Sequence, residues 1–157
     1  MRTRYKLFDK FAKEKNELRN ALAKQYLHSK GEKKIYVIDD CRNALLLVNH
    51  YLKDYKNVSI SLFENELDAI PCILDQAPDL IILDINLKVI DGIKLSQMIE
   101  SISSFKIPIV YMSQHNHVEN KLRDTFGQVS FLPKPIHKNH FISTVTQATK
   151  NFRRIVA

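Results

Sequence analysis

Short apolar runs alternate with longer amphipathic segments along most of the chain. The strongest run is Leu80 to Leu83, four apolar residues that directly precede Asp84. A run that is apolar at every position predicts a strand buried on both faces, as inside a parallel sheet. A carboxylate at the end of such a strand is costly unless another group pairs with it. Open α/β sheets bind ligands just beyond the carboxyl ends of their strands, so Asp84 is the first candidate for chemistry.

Four further strands and five helices are predicted around this run. The strands are short apolar runs and span residues 35–38, 58–63, 107–112 and 129–132. The longer segments predict helices at residues 44–52, 65–76, 93–102 and 139–155, and residues 117–126 predict a short polar helix or a loop. Strands that alternate with helices predict an α/β fold, a doubly wound five-stranded parallel sheet with helices on both faces and right-handed crossovers.

Several of these helices carry local signals. Asn65 is the expected N-cap of the second helix, and Pro71 should either kink that helix or make it begin later. The third helix has one broad apolar side, made of Ile93, Leu95, Met98, Ile99 and Ile102. The closing helix has an apolar face made of Phe141, Val145, Ala148 and Phe152.

The positive charge is concentrated at the N-terminus. Residues 1–34 hold eleven Lys and Arg against four Asp and Glu, which accounts for the whole net charge of +7, and the remainder is neutral. We therefore predict two parts, a basic helical arm and linker at residues 1–32 and a globular domain at residues 33–157. Good helix formers and the absence of proline predict the helix of the arm.

The role of the arm stays open between three alternatives. Its apolar residues follow the spacing of a coiled-coil seam with two polar interruptions: Phe8, Phe11, Lys15, Leu18, Leu22 and Gln25. The helix could pack on its own domain, form a homodimer, or bind nucleic acid or a membrane surface. Acids mixed among its cations, and few aromatic residues, disfavour nucleic acid.

Composition excludes several classes of protein. No apolar run approaches the length of a membrane span, and the N-terminus lacks the apolar core of a secretory signal, so we predict a cytoplasmic protein. Cys41 and Cys72 have neither metal-type nor redox-type spacing. They are expected to be small core or near-core residues in a reducing compartment.

Polar residues follow four of the five strands. They are Asp39 and Asp40 after the first strand, Asp84, Ser113, and Lys134. Parallel strands bring these ends to one edge, where three carboxylates would raise one another's pKa values. Mg²⁺ accepts such oxygen ligands and relieves the repulsion. A metal, a lysine, a hydroxyl and a carboxylate suit phosphoryl transfer, with Asp84 as nucleophile and the other two aspartates as ligands.

The strand-end residues belong to motifs that occur in a recognisable order. The motifs are Ile35–Asp40, Pro78–Asp84, Asp91-Gly92, Ser113 and Phe131–Pro135. In order and spacing, residues 33 to about 155 resemble the receiver domain of two-component response regulators, of the single-domain, chemotaxis-regulator kind. The resemblance implies the sheet order 2-1-3-4-5.

The resemblance also implies a function in phosphorelay signal transduction rather than an enzyme. Asp84 would accept a phosphoryl group from a sensor histidine kinase or a histidine phosphotransfer protein and signal to a downstream protein. Asp39 and Asp40 would hold Mg²⁺ together with Asp84 and the backbone carbonyl of Asn86. Because only one helix follows Lys134, too little for a DNA-binding module, output by protein contact is expected.

The remaining implied roles concern switching. Ser113 matches the hydroxyl residue that turns toward the phosphoryl group, and Phe131 matches the aromatic residue that changes rotamer with it. Lys134 matches the lysine that pairs with phosphate, and it is usually joined to the following proline by a cis peptide. Two positions depart from the family pattern, since Lys88 replaces a usual Pro and Gln114 replaces a usual Ala or Gly.

Other functions are considered alongside this one. Asp84-Ile85-Asn86 is one change from the Asp-x-Asp pair of aspartate-nucleophile phosphatases, but Asn86 cannot donate a proton as an acid. The basic arm could bind nucleic acid or a scaffold, with the acidic site as a relic. Four histidines in two neighbouring loops could form a second metal site: His115, His117, His137 and His140.

Overall fold

The structure is a computed structural model that describes residues 32–103 and 106–152, with side chains through Thr149. Its strands are β1 (Lys33–Ile38), β2 (Val58–Phe63), β3 (Leu80–Asp84), β4 (Ile109–Ser113) and β5 (Ser130–Pro133). All four strand pairs are parallel, and the sheet order is β2-β1-β3-β4-β5. The predicted fold class and strand order are confirmed.

Five helices connect or follow these strands. They are α1 (Arg42–Leu52), α2 (Glu66–Asp75), α3 (Gly92–Ile102), α4 (Val118–Phe126) and α5 (Lys138–Phe152). Asn65 caps α2 as expected, because its side chain accepts a hydrogen bond from the Leu67 N–H. Asp91 caps α3 by accepting from the N–H groups of Ile93 and Lys94.

The sheet separates two hydrophobic cores. On β3, Leu80 and Ile82 face one core, and Ile81 and Leu83 face the other. The first core is closed by α1 and α5 through Leu45, Val48, Leu52, Phe141, Val145 and Ala148. The second is closed by α2, α3 and α4 through Ala69, Ile73, Ile93, Leu95, Ile99 and Leu122. Burial on both faces is why residues 80–83 of the central strand are all apolar.

Some details differ from the sequence prediction. The later start of α2 is wrong, because the helix begins at Glu66 and contains Pro71 within it. On α3, Met98 and Ile102 are about two-fifths exposed, so its buried side is narrower than predicted. β4 begins at Ile109 rather than residue 107; the carbonyl of Pro108 still accepts the Ile81 N–H just ahead of the strand.

Both cysteines are exposed free thiols, so the prediction of core or near-core positions is wrong. Cys41 precedes α1 at the surface. Cys72 lies on α2, whose buried residues are Glu66, Ala69 and Ile73, and it is rotated out of that face. The thiols therefore contribute little to the hydrophobic cores.

Predictions for the N-terminal arm at residues 1–31, for residues 153–155 and for the side chain of Phe152 lie outside the described residues. The described part begins at Glu32, and β1 starts at Lys33. Among the described helices, none combines the length and the apolarity that crossing a bilayer requires.

Candidate functional site

The carboxyl ends of four strands meet at one edge of the sheet. Ile38, at the end of β1, pairs with Leu83 of β3, so Asp39 and Asp84 follow at the same level. Asp84 pairs with Met112 of β4. Ser113 pairs with Pro133 of β5. The parallel register therefore brings the predicted polar residues to neighbouring positions.

Three carboxylates form a cluster at this edge. Asp39, Asp40 and Asp84 each offer one oxygen, and these oxygens lie within 4.8 Å of one another. Asp39 and Asp84 are buried, and Asp40 is partly exposed, so the cluster opens to solvent on one side. Anionic oxygen donors on several elements are the ligands that a hard divalent cation prefers. The residues present fit Mg²⁺.

Lys134 lies between two of these carboxylates. Its Nζ is 2.9 Å from Asp84 Oδ1 and 2.8 Å from Asp39 Oδ2, and its side chain is 14% exposed. The Lys134 backbone N–H donates to the Ser113 carbonyl at 2.8 Å, which ties the end of β5 to the end of β4. The Lys134–Pro135 peptide is cis, as the sequence resemblance implies. One ammonium thus serves two buried carboxylates.

Asp39 is held from two further directions. Its Oδ1 accepts the Cys41 N–H at 2.9 Å, and its own N–H donates to the Phe63 carbonyl at 3.1 Å. The carboxylate is therefore fixed by the lysine at one oxygen and by the start of the β1–α1 connection at the other. Such fixed partners keep a buried charge in place at a low cost.

The electrostatics of the cluster leave an excess of negative charge. Burial raises the pKa of Asp84, and the neighbouring Asp39 and Asp40 raise it further, while hydrogen bonding and charge from Lys134 act in the opposite direction without cancelling them. Burial lowers the pKa of Lys134, but hydrogen bonds and charges from Asp39 and Asp84 outweigh it and raise the pKa overall. Lys134 thus stays an ammonium, and it is shared by the two buried carboxylates, Asp39 and Asp84.

The two residues predicted to switch lie close to the strand ends. Ser113 is fully buried at the end of β4, and its Oγ accepts the His115 N–H at 3.1 Å. Phe131 on β5 pairs with Tyr111 of β4 and is buried in the core beneath α2, α3 and α4. Asn86 lies two residues beyond Asp84 with its side chain exposed.

The two departures from the family pattern are both at the surface of this edge. Lys88 lies in the loop after Asp84, and its Nζ is 3.8 Å from Asp40 Oδ2 with a side chain 74% exposed. Gln114 follows Ser113 and is exposed. Lys88 therefore adds a second, solvent-screened cation beside the carboxylate cluster.

Comparison with known proteins assigns the family. The model of the response regulator receiver domain matches residues 35–146, which is more than half of the chain. The chain belongs to the receiver domain family. Receiver domains act in two-component signalling, where they accept phosphoryl groups and interact with histidine kinases and downstream effectors.

Individual relatives of this receiver domain are distant. Protein PilG of Pseudomonas aeruginosa is 25% identical over 126 residues, which cover 79% of this chain and 93% of PilG. Regulatory protein LuxO of Vibrio vulnificus is 24% identical over 120 residues, covering 76% of this chain and about a quarter (26%) of LuxO. The crystal structure of a two-component response regulator from Clostridium difficile is 29% identical, with a TM-score of 0.66, and the match covers 76% of this chain and 97% of that one.

Two contacts around the receiver domain's acidic edge were missed by sequence reasoning, although Gly92 itself belongs to one of the motifs named from the sequence. Glu66, at the start of α2, is buried, and its Oε1 accepts the N–H groups of Val89 at 2.6 Å and Ile90 at 2.8 Å. Gly92 packs so tightly that a Cβ would meet the Asp84 carbonyl oxygen and stand 2.7 Å from Ile85 Cα. From the sequence, Glu66 is an acid that follows the N-cap Asn65, a position that predicts only a favourable interaction with the helix dipole. No sequence pattern therefore predicted its contact with the loop between β3 and α3.

The histidine hypothesis finds no support in the receiver domain. His115 and His117 have ring centroids 5.5 Å apart. Within residues 32–103 and 106–152, however, the carboxylate cluster is the one group of three or more His, Cys, Asp or Glu side chains arranged to hold a metal ion. The two loops do not bring their four histidines together as a second site.

Proposed function

We propose that this receiver domain accepts a phosphoryl group at Asp84 from a phosphohistidine of a sensor kinase or phosphotransfer protein, in a reaction that depends on Mg²⁺. The observation that supports it most is the buried Asp84 carboxylate, which has an oxygen within 4.8 Å of oxygens of Asp39 and Asp40 and another contact, 2.9 Å long, with the Lys134 ammonium. A carboxylate so placed is a nucleophile with cations available for the charge it receives.

In the transfer, a carboxylate oxygen of Asp84 forms a new P–O bond as the P–N bond to the donor histidine breaks, and the freed imidazole takes up a proton. Mg²⁺, held by Asp39, Asp40, Asp84 and the Asn86 carbonyl, would supply positive charge to the phosphoryl oxygens. Lys134 supplies the protein's own charge. Its raised pKa keeps it an ammonium, and it needs only to turn from the two carboxylates to the incoming phosphoryl oxygen.

The phosphoryl group would then bias a two-state surface. Ser113 holds the His115 N–H through its Oγ, and rotation of this hydroxyl toward the phosphoryl group would release that bond. The space left behind would admit the Phe131 ring, which is buried against the core on the side of α4. The contact surface for a downstream protein is then the region of β4, α4 and β5.

Intact-mass spectrometry with acetyl phosphate and Mg²⁺ tests the phosphoacceptor. The parent protein should gain one phosphoryl group, and Asp84→Asn should gain none. Asp75→Asn is the matched control, because Asp75 is an exposed carboxylate at the end of α2 outside the carboxylate cluster. Labelling of Asp84→Asn to the same extent as the parent would refute the proposal.

The stoichiometry of labelling and its dependence on Mg²⁺ distinguish a phosphoacceptor from a phosphatase. Stoichiometric labelling that depends on Asp84 is expected from a phosphoacceptor, whereas sustained turnover of a phosphomonoester would indicate a phosphatase. Omitting Mg²⁺, or removing it with a chelator, should abolish labelling because the three carboxylates would then repel the incoming phosphate. Equal labelling with and without the ion would contradict the magnesium requirement.

A further inference from the structure

Glu66 is a buried charge outside the carboxylate cluster. Among the residues that the structure describes, the buried charged side chains are Asp39, Asp84 and Glu66. Glu66 is 1% exposed, and Lys134, the cation that serves the two aspartates, is not among its partners in the described hydrogen bonds. Burying a carboxylate is costly, so its partners indicate what it does.

The partners of Glu66 are backbone groups of one loop. A single oxygen, Oε1, accepts the Val89 N–H at 2.6 Å and the Ile90 N–H at 2.8 Å. These residues are 23 and 24 positions away along the chain, in the connection between β3 and α3. The first turn of α2 is therefore tied to the loop that follows Asp84.

The carboxylate of Glu66 is ionised at neutral pH. Burial raises its pKa, but hydrogen bonds from the backbone N–H groups of Ile90, Glu66 and Val89, together with the charge of Lys88, outweigh burial and hold the pKa below its ordinary value. Hydrogen bonds to an ionised acceptor are about twice as strong as those between neutral groups. The connection to the loop is thus a strong one.

This loop is fixed at two places. At its base, the Gly92 N–H donates to the Ile85 carbonyl at 2.9 Å, which closes residues 85–92. At its far side, Glu66 holds the two consecutive N–H groups. Asn86 and Lys88 lie between the two attachments, and the Lys88 ammonium approaches Asp40. Lys88 stands where receiver domains usually have a proline, whose ring would restrict the backbone. The conformation of this loop therefore depends more on its hydrogen bonds to Glu66 and Ile85.

We propose that Glu66 is a positioning residue for the magnesium site: by holding the N–H groups of Val89 and Ile90, it fixes the loop that presents the Asn86 carbonyl to the ion. The inference rests on the proposed function, since it concerns the ion required there. Groups that orient metal ligands act through those ligands, and their loss lowers metal affinity without removing any ligand.

The test is Mg²⁺ affinity of the full chain, measured by isothermal titration calorimetry without any phosphoryl donor. Glu66→Ala should bind Mg²⁺ about tenfold more weakly than the parent, in the range seen for lost orienting partners. Glu66→Gln should recover most of the affinity, because its amide oxygen can accept the same two N–H groups. Asp68→Ala, which removes an exposed acid from the same helical turn, should match the parent.

Amide hydrogen exchange in the absence of metal gives a second measurement. The Val89 and Ile90 amides should exchange faster in Glu66→Ala than in the parent and in Asp68→Ala. Should Glu66→Ala fail to fold, Glu66→Asp replaces it, since the side chain is one methylene shorter and keeps its charge. Unchanged Mg²⁺ affinity in a folded Glu66 variant would overturn the inference, even if the free energy of unfolding fell.

The two proposals fail in different ways. If the parent protein binds Mg²⁺ and is labelled at Asp84, and the Glu66 variants bind Mg²⁺ equally well, only the proposed role of Glu66 is refuted. A parent that neither binds Mg²⁺ nor takes up phosphate removes both. If Asp68→Ala weakened Mg²⁺ binding as much as Glu66→Ala does, the loss would reflect a general effect of charge. That result would also overturn the positioning role of Glu66.

Discussion

At the scale of single residues, Lys134 determines how the acidic edge tolerates its charge. One ammonium lies 2.8 Å from Asp39 Oδ2 and 2.9 Å from Asp84 Oδ1, and both carboxylates are buried. Breaking a buried ion pair by removing one partner typically costs about 3–5 kcal/mol, because the remaining charge is left uncompensated. The two buried carboxylates therefore depend on Lys134 for compensation of their charge.

Gln114 is the residue at which the lifetime of the phosphoryl group can be tested. It follows Ser113, is exposed, and stands where the family usually has Ala or Gly. We expect its larger side chain to restrict water at the phosphoryl group, so Gln114→Ala should shorten the lifetime several-fold, equivalent to roughly 1 kcal/mol of barrier. The decay of labelled protein after removal of acetyl phosphate measures this, and equal lifetimes would contradict it.

Tyr111 gives a pH dependence of stability. Burial raises the pKa of its phenol to about 12 from an ordinary 10.0; a hydrogen bond with Ser96 lowers it, and the charge of Glu100 raises it. A raised pKa in the folded state contributes stability that is complete below pH 10.0 and is lost as pH rises toward 12. Urea unfolding of the parent should weaken across that window more than unfolding of Tyr111→Phe.

Comparing the parent with Tyr111→Phe separates the contribution of Tyr111 to stability from that of the other groups that titrate at alkaline pH. Lysines and the remaining tyrosines titrate in both, so their effect cancels in the difference. A difference in unfolding free energy that stays constant between neutral pH and pH 12 would show that the Tyr111 phenol has the same pKa in the folded and unfolded protein.

At the scale of elements, the connection between β3 and α3 is held at several points beside the acidic edge. It carries Asn86 and Lys88, closes through the Gly92 N–H, and is held by Glu66. Gly92 is needed here for space, since the backbone of Asp84 and Ile85 occupies the position of a Cβ. The start of α3 is thus packed directly on the end of the central strand.

Gly92→Ala should therefore destabilise the protein by about 1–3 kcal/mol, because backbone atoms cannot move aside as a flexible side chain can. It should also reduce phosphorylation, since the displaced atoms belong to Asp84. Gly127→Ala is the control. A Cβ added at Gly127 would meet nothing within 4 Å, although its backbone angles, φ 77° and ψ −128°, add a cost of about 1–3 kcal/mol for alanine.

Urea unfolding and labelling by acetyl phosphate distinguish the two variants. Gly127→Ala should lose stability but keep full labelling, because Gly127 lies after α4, away from the acidic edge. Gly92→Ala should lose both. Normal labelling of a destabilised Gly92→Ala would show that the clash is absorbed away from the carboxylate.

At the scale of the whole molecule, the described residues form one five-stranded sheet with a hydrophobic core on each face. β1 begins at Lys33, and within residues 32–103 and 106–149 all five strands and all the buried core residues lie at or after this position. The basic arm contributes five of the seven net positive charges, since residues 1–32 hold nine Lys and Arg and four Asp and Glu. Most of the net charge thus lies in the arm, whereas the described strands and cores lie at or after Lys33.

A chain that begins at Lys33 should therefore unfold cooperatively and label at Asp84 as the parent does. Circular dichroism with urea and intact-mass spectrometry measure the two properties. Light scattering of the parent and the shortened chain tests the homodimer alternative, which requires that only the parent be dimeric. Loss of cooperative unfolding on shortening would show instead that the arm is part of the folded core.

Much of this molecule is determined by local sequence pattern. Apolar runs followed by Asp39, Asp84 and Ser113 predict both the strands and the edge where their ends meet, because parallel strands share one direction. The fold class, the strand order implied by the resemblance and the receiver family are confirmed by the structure and the family match. The individual roles of the predicted site residues remain predictions for the experiments above.

Other features were decided only by tertiary structure. The reach of Glu66 to Ile90, the close approach of Gly92 to Asp84 and the exposure of Cys72 depend on how helices pack on the sheet, and local periodicity does not encode those distances. A sequence pattern states which face of an element is apolar. It does not state which residues on a neighbouring element, some twenty positions away along the chain, will meet a particular carboxylate.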